Sequence, residues 1–198
     1  MESMNLIQPQ IERETVKGIS EISLETNAFS QRKIFIFGDI NEAMLDNFTM
    51  QMLYLSEDKT SPISIYINSP GGKITCGLVM YDIIQAFQGE IRMYCVGLAA
   101  SMAALILAGG QKGRRFILPH SEVMIHEPLV AGELNGSAST IKSTAESILK
   151  IKKMTNGILA KHTGKTLEEM DAATDHDNFM TAKEAVDFGI CDKIVAGL

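Results

Sequence analysis

Three short apolar runs, Lys33–Gly38, Ile63–Ile67 and Ile91–Val96, are each followed by a segment long enough to form a helix. This alternation constrains the fold more than any other feature. A strand that passes through a helix before the next strand begins returns parallel to it, by a right-handed crossover. The intervening segments carry apolar residues at three- and four-residue intervals, as helices with one buried face do. Over Asn41–Ser56 these are Met44, Phe48, Met52 and Leu55; over Thr75–Phe87 they are Leu78, Tyr81, Ile83 and Ile84. Ser101–Ala108 reads as a third helix, Arg115–Leu118 and Glu122–Ile125 as closely spaced strands, and Ile190–Val195 as a short closing strand. The pattern predicts an α/β domain with a partly parallel sheet.

The chain has 198 residues, which suits one domain with a real core. Its 45% apolar and 21% charged content belongs to a globular protein. A net charge of -6 argues against nucleic acid as a partner. The basic cluster Lys150, Lys152 and Lys153 reads as an exposed helix face. Cys76, Cys95 and Cys191 lie far apart without a CxxC unit, so neither a disulfide framework nor a zinc site is expected. Cys95, inside an apolar run, reads as a small core residue. No apolar stretch approaches the roughly 18 residues of a membrane span, and the first residues lack the apolar core of a signal peptide. The expectation is a cytoplasmic protein that does not engage a membrane. Residues 1–30 read as a polar, weakly periodic arm, flexible or ordered only against a partner, and residues 31–198 as the domain.

The longest periodic segment is Ala138–His162, with Ile141, Ile148, Ile151, Met154, Ile158 and Leu159 as its apolar positions and Gly164 as a stop signal. A helix of about 25 residues spans about 37 Å, long for a domain of this size. One end is expected to protrude and pack on another subunit. The small-residue gap before it, Pro128–Ser137, reads as an extended arm with the same purpose. Thr166 with Glu169, and Thr181 with Glu184, have the spacing of capping boxes.

Chemistry concentrates at four places. Ser101 follows a strand and the tight connection Gly97-Leu98-Ala99-Ala100, which places it at a helix N-terminus. There it is either a helix cap or a nucleophile awaiting a base, with the Met102 N–H beside it to stabilise developing negative charge. Gly71 and Gly72 end a strand; they either form a tight turn or present a backbone N–H to a cleft without an obstructing side chain. Gly72 and Met102 together would form a two-donor oxyanion hole. The segment lacks the GxxxxGK and GxGxxG patterns of phosphate loops. His126 ends an apolar strand at the rim of the sheet and is the best candidate base among His120, His126, His162 and His176, with a hydrogen-bonded structural role as its alternative. Asp177 or Asp175 would orient it; spacing does not choose between them. The acidic cluster around His176 has no metal-ligand spacing.

These residues lie in IYINSPGG (Ile65 to Gly72), GLAASMA (Gly97 to Ala103), ILPHSEVMIHEP (Ile117 to Pro128) and DHDNFMTAKEAVDFGICD (Asp175 to Asp192). In order and spacing they resemble the ClpP family of self-compartmentalising serine peptidases, from about Lys33 to Val195. The resemblance implies the ClpP/crotonase-like spiral of ββα units, with a protruding handle region over about residues 129–162 and an axial loop within residues 1–30. It implies Ser101 as nucleophile, His126 as base, Asp177 as the acid, and Gly72 and Met102 as the oxyanion hole. It further implies self-association into two heptameric rings forming a fourteen-subunit barrel. An AAA+ unfoldase of the ClpX, ClpA or ClpC type would feed unfolded chains to it and consume ATP, with no cofactor in this chain. Several positions depart from the family pattern. Ser64 and Ala86 replace aromatic residues that help line the family's unfoldase pocket, and His176 replaces an Arg that bridges rings. The handle segment Leu129–Ser139 is slightly longer than usual. These departures also fit a weakly active or structural subunit that needs a second ClpP paralogue. A crotonase-like acyl-CoA enzyme shares the oxyanion hole, but the chain has no CoA signal.

Overall fold

The computed structural model describes residues 9–15, 18–129 and 136–197. In chain order the elements are β1 (Gln10–Thr15), β2 (Gly18–Ser23), α1 (Leu24–Ser30), β3 (Lys33–Phe37), α2 (Glu42–Leu55), β4 (Ile63–Ser69), α3 (Ile74–Ala86) and β5 (Ile91–Ala100). Then follow α4 (Met102–Ala108), β6 (Arg115–Ile117), β7 (Glu122–Ile125), α5 (Ala138–Thr163), α6 (Leu167–Thr174), β8 (Asn178–Thr181), α7 (Ala182–Phe188) and β9 (Lys193–Ile194).

β3, β4, β5, β6 and β9 form a parallel sheet in that order. The cause is visible in the strand sequences. Ile34, Ile36, Ile63, Ile65, Ile67, Ile91, Met93 and Cys95 alternate along their strands and are all at most 1% exposed. They meet α2, α3 and α4 through residues such as Phe48, Met52, Met80 and Leu107. Each such aliphatic side chain contributes about 1.5–3 kcal/mol when fully buried. The opposite face carries a row of rings, Phe35, Tyr66, Tyr94 and Phe116, stacked from strand to strand with centroids 5.0–5.5 Å apart.

β5 is the axis of the fold. Its first half pairs with β6 through Met93–Cys95, and its last residues, Leu98–Ala100, pair with β7. β8 then lies antiparallel on β7, with Ile125 opposite Asn178. The expected tight connection over 97–100 is therefore a strand extension. Small residues with weak strand preference are held there by a neighbour on each side, since Ser69 faces Ala99 from β4. β8 is a four-residue strand that sequence periodicity did not reveal.

The arm differs from its reading as well. β1 and β2 form an antiparallel hairpin, and α1 follows, capped by the Ser23 side chain. None of the hairpin residues whose burial is described is fully buried, and Ile11, Ile22 and Ser23 are half-buried, so no burial pattern announces it.

α5 runs 26 residues, about 39 Å at 1.5 Å per residue. Its buried residues, Thr155, Asn156 and Leu159, all lie in its last third, whereas Leu149 and Met154 are exposed at 64% and 51%. The helix is anchored at its C-terminal end and protrudes at the other. Ser137 caps its start and Gly164, at φ 80°, ends it. Most of the extended arm expected before it, residues 130–135, lies outside the described residues. Both expected capping boxes are formed. Among the described residues no helix is long and apolar enough to cross a membrane.

Candidate active site

The end of β5 positions the first group. The Ser101 N–H donates to Met124 O at 2.8 Å, which continues the β5–β7 ladder by one residue. There the chain reverses into α4, and Ser101 takes φ 54° and ψ -121°, a conformation in which a non-glycine residue costs about 1–3 kcal/mol. Ser101 occupies the N-cap position, yet its side chain makes no capping bond. Its Oγ lies 2.9 Å from His126 Nε2 instead. The strain thus accompanies a hydroxyl turned away from the helix and toward an imidazole.

The β7–β8 register positions the rest. With Ile125 opposite Asn178, the next pair in antiparallel order is His126 and Asp177. His126 Nδ1 is 3.1 Å from Asp177 Oδ1. Asp175, which spacing alone left in contention, instead lies 3.7 Å from His176 Nε2 on the exposed surface. The His126 side chain is largely buried, at 14% exposure, while that of Asp177 is 62% exposed.

The glycine pair closes the third side. An isolated parallel bridge joins Gly72 to Ile40. Ile40 N–H donates to Gly71 O at 2.8 Å and Lys73 N–H to Ile40 O at 2.7 Å. A side chain cannot replace hydrogen at either glycine. A Cβ on Gly72 (φ 148°) would fall 2.3 Å from Ile40 O; one on Gly71 (φ 93°) would fall 2.7 Å from Ala100 O and 3.0 Å from Met102 N. Gly71 therefore lies directly against the Ser101–Met102 turn, and Gly72, the next residue, lies against Ile40. Neither the Gly72 nor the Met102 N–H has a hydrogen-bond partner among the described residues.

Beside Ser101 is a small cavity of about 30 Å³, lined mainly by Ile74, Met102, Leu105, Ile125, Pro128 and Leu159. The cysteines take no part: all three are buried, and burial pushes the Cys95 thiol up to about 11.

Sequence reasoning missed two contributors. Ile40, in the turn before α2, holds the glycine pair; nothing in its sequence context indicates a bridge. Lys152 is not part of a uniformly exposed basic face, because it is half-buried and its Nζ reaches Glu127 Oε2 at 2.7 Å.

A hydroxyl, an imidazole and a carboxylate in hydrogen-bonded sequence, with the Gly72 and Met102 amides unpaired among the described residues, form a site suited to hydrolytic acyl transfer. The family model described as Clp protease matches residues 17–197, and the chain belongs to that family. The mixed α/β fold with its mostly parallel sheet agrees with this membership, and the chain is a ClpP-type protease subunit.

Proposed function

We propose that this subunit is a serine endopeptidase in which Ser101, His126 and Asp177 form the catalytic triad. The observation that carries the reading is the unbroken series Ser101 Oγ, His126, Asp177 at 2.9 and 3.1 Å, with the serine in a strained turn. Ser101 Oγ attacks the scissile carbonyl as His126 Nε2 takes its proton. Asp177 accepts from Nδ1–H, which fixes the tautomer and stabilises the imidazolium. The Gly72 and Met102 amides bind the oxyanion, where the gain is greatest because the charge appears only in the transition state. His126 then gives its proton to the leaving amine, and water on the same path releases the acyl-enzyme. No step requires a cofactor or metal held by this chain.

The wider reading is a compartmentalised protease. The protruding α5, with Ile141, Leu149 and Met154 uncovered, supports packing on a second ring of subunits. An open groove of about 220 Å³, lined by Met52, Leu53, Ser56, Ile83, Ala86 and Phe87, supports docking of an apolar loop from an AAA+ unfoldase, which would spend ATP to feed unfolded chains. In that assembly the subunit works in the cytoplasm on protein substrates.

Hydrolysis of short fluorogenic peptides, measured for this chain alone and with a second ClpP paralogue, tests the reading. Turnover by the chain alone, abolished in S101A, supports it. Turnover only in the mixed complex, and unchanged there by S101A, overturns it in favour of a structural subunit.

A further inference from the structure

Two residues one turn apart on α5 grip the two segments that carry His126 and Asp177. Lys152 Nζ donates to Glu127 Oε2 at 2.7 Å, and Glu127 is the immediate neighbour of His126. Asn156, fully buried, donates from Nδ2 to Thr174 Oγ1 at 2.9 Å and to Asp171 Oδ1 at 2.6 Å; Thr174 lies three residues before Asp177. The loop closes between the two segments themselves, since the Glu127 N–H donates to Thr174 O at 2.8 Å. Asn178 Nδ2 also donates to Ala173 O at 3.0 Å, which ties the residue after Asp177 to the end of α6. The i, i+4 spacing of Lys152 and Asn156 puts both on the same face of α5.

We propose that Lys152 is a positioning residue for the proposed triad: through Glu127 it fixes His126 against Asp177 and balances the charge beside the imidazole. The inference rests on the serine-hydrolase reading above.

Its energetic logic is local. The Lys152 and Glu127 side chains are 24% and 41% exposed, and an ion pair of that exposure contributes little to global stability. The pair nevertheless stands where geometry matters. His126 needs an orienting carboxylate, and Asp177 is itself mostly exposed, so the placing of the backbone that carries His126, next to Glu127, matters for that contact. The hydrogen bond and charge of Lys152 hold the Glu127 carboxyl below its usual range, and Glu127 holds the Lys152 ammonium above its own. The ionisable groups around this corner are Asp177 just before β8, Lys152 on α5, Asp171 on α6, and Asp175 and His176 after it. Lys152 and Glu127 pair directly at 2.7 Å, His126 and Asp177 are hydrogen-bonded at 3.1 Å, and His176–Asp175 is looser at 3.7 Å.

The charges predict opposite effects for the two neutralising variants. Lys152→Gln leaves the Glu127 anion unpaired beside His126, which favours the protonated imidazole. Glu127→Gln leaves the Lys152 ammonium unpaired, which disfavours it. A purely structural role moves both variants the same way.

The experiment uses the assembled protein and two readouts. The first is the rate at which a fluorophosphonate labels Ser101, followed from pH 5.5 to 8.5. Lys152→Gln is expected to slow labelling about tenfold at pH 7, the factor that corresponds to 1.4 kcal/mol, and to move the acid limb to higher pH. Glu127→Gln is expected to move that limb to lower pH, and Lys152→Arg to stay within threefold of wild type. Superimposable profiles, or shifts of both Gln variants in one direction, overturn the proposal. The second readout is hydrogen exchange of the peptides covering 122–128 and 171–178. Lys152→Gln is expected to speed exchange there; unchanged exchange overturns the proposal regardless of labelling. Absence of labelling in wild type defeats the hydrolase reading, and exchange still decides whether Lys152 clamps the two segments.

Discussion

Gly71→Ala tests the site's construction most sharply, because its consequence follows from contacts on both sides. The added methyl would meet Ala100 O at 2.7 Å, Ser101 Cβ at 2.8 Å and Met102 N at 3.0 Å. Two of the three are backbone atoms that no rotamer change can remove. The glycine strand has little freedom to yield, since Ile40 ties it down at Gly71 O and at Lys73 N–H. The displacement therefore falls on the Ser101–Met102 turn. A few tenths of an ångström there misaligns the hydroxyl and one oxyanion donor, and loss of one such donor costs about 2.7–4 kcal/mol, or roughly 10²–10³ in kcat. The backbone at φ 93° adds about 1–2 kcal/mol of strain for a residue with a Cβ. The assay is steady-state hydrolysis of a short fluorogenic peptide, with the thermal midpoint measured in parallel. We expect kcat to fall at least about 100-fold with KM little changed, as for an interaction made chiefly in the transition state. Gly38→Ala is the control: its φ is 80°, but its added methyl meets nothing within 4 Å, so it carries the strain without the contact. It should lose stability and keep its kcat. A Gly71→Ala enzyme within threefold of wild type would show that the glycine contact does not set the serine turn.

Other outcomes follow from the same structure. Asp177→Asn should lower kcat by about 10² or more through loss of the correct imidazole tautomer, whereas Asp175→Asn, two residues away and 3.7 Å from His176 on the exposed surface, should leave it within threefold; peptide hydrolysis compares them. His162 is half-buried, with its Nε2 2.8 Å from the Tyr81 hydroxyl, and burial, aided by Lys161 and Arg115, holds its imidazole below the ordinary value. The unfolded chain therefore takes up that proton first, and stability is full above about pH 6.5 and declines as pH falls below it. Thermal midpoints from pH 7.5 to 5.5 should show that decline, and His162→Gln should flatten it; an equally steep profile in the variant would contradict the assignment.

Much of the sheet was legible because its strands alternate isoleucine with residues of the opposite face, and the crossover helices α2 and α3 carry apolar residues at three- and four-residue spacing. Ser101, His126, Gly72 and Met102 could be picked out from strand ends and a helix start. The choice of Asp177 over Asp175 had no warrant in spacing, because the register of β7 on β8 makes it, and β8 is too short to announce itself. Gly97–Ala100 looked like a connection because small residues carry no strand preference; pairing on both sides makes it strand. Lys152 was hidden among Lys150 and Lys153, whose side chains are exposed, and only the packing of α5 against the Glu127 segment separates it from them. No residue of the β1–β2 hairpin whose burial is described is fully buried, so no hydrophobic pattern foretells it.

The central claim is that Ser101 is a nucleophile activated by His126. Incubation of the assembled protein with a fluorophosphonate, followed by mass mapping of the adduct, tests it most directly. One adduct per subunit is expected, on Ser101, absent in S101A and slowed at least about 10³-fold in H126A. An unlabelled Ser101 in the wild-type assembly, or labelling at the same rate in H126A, would contradict it.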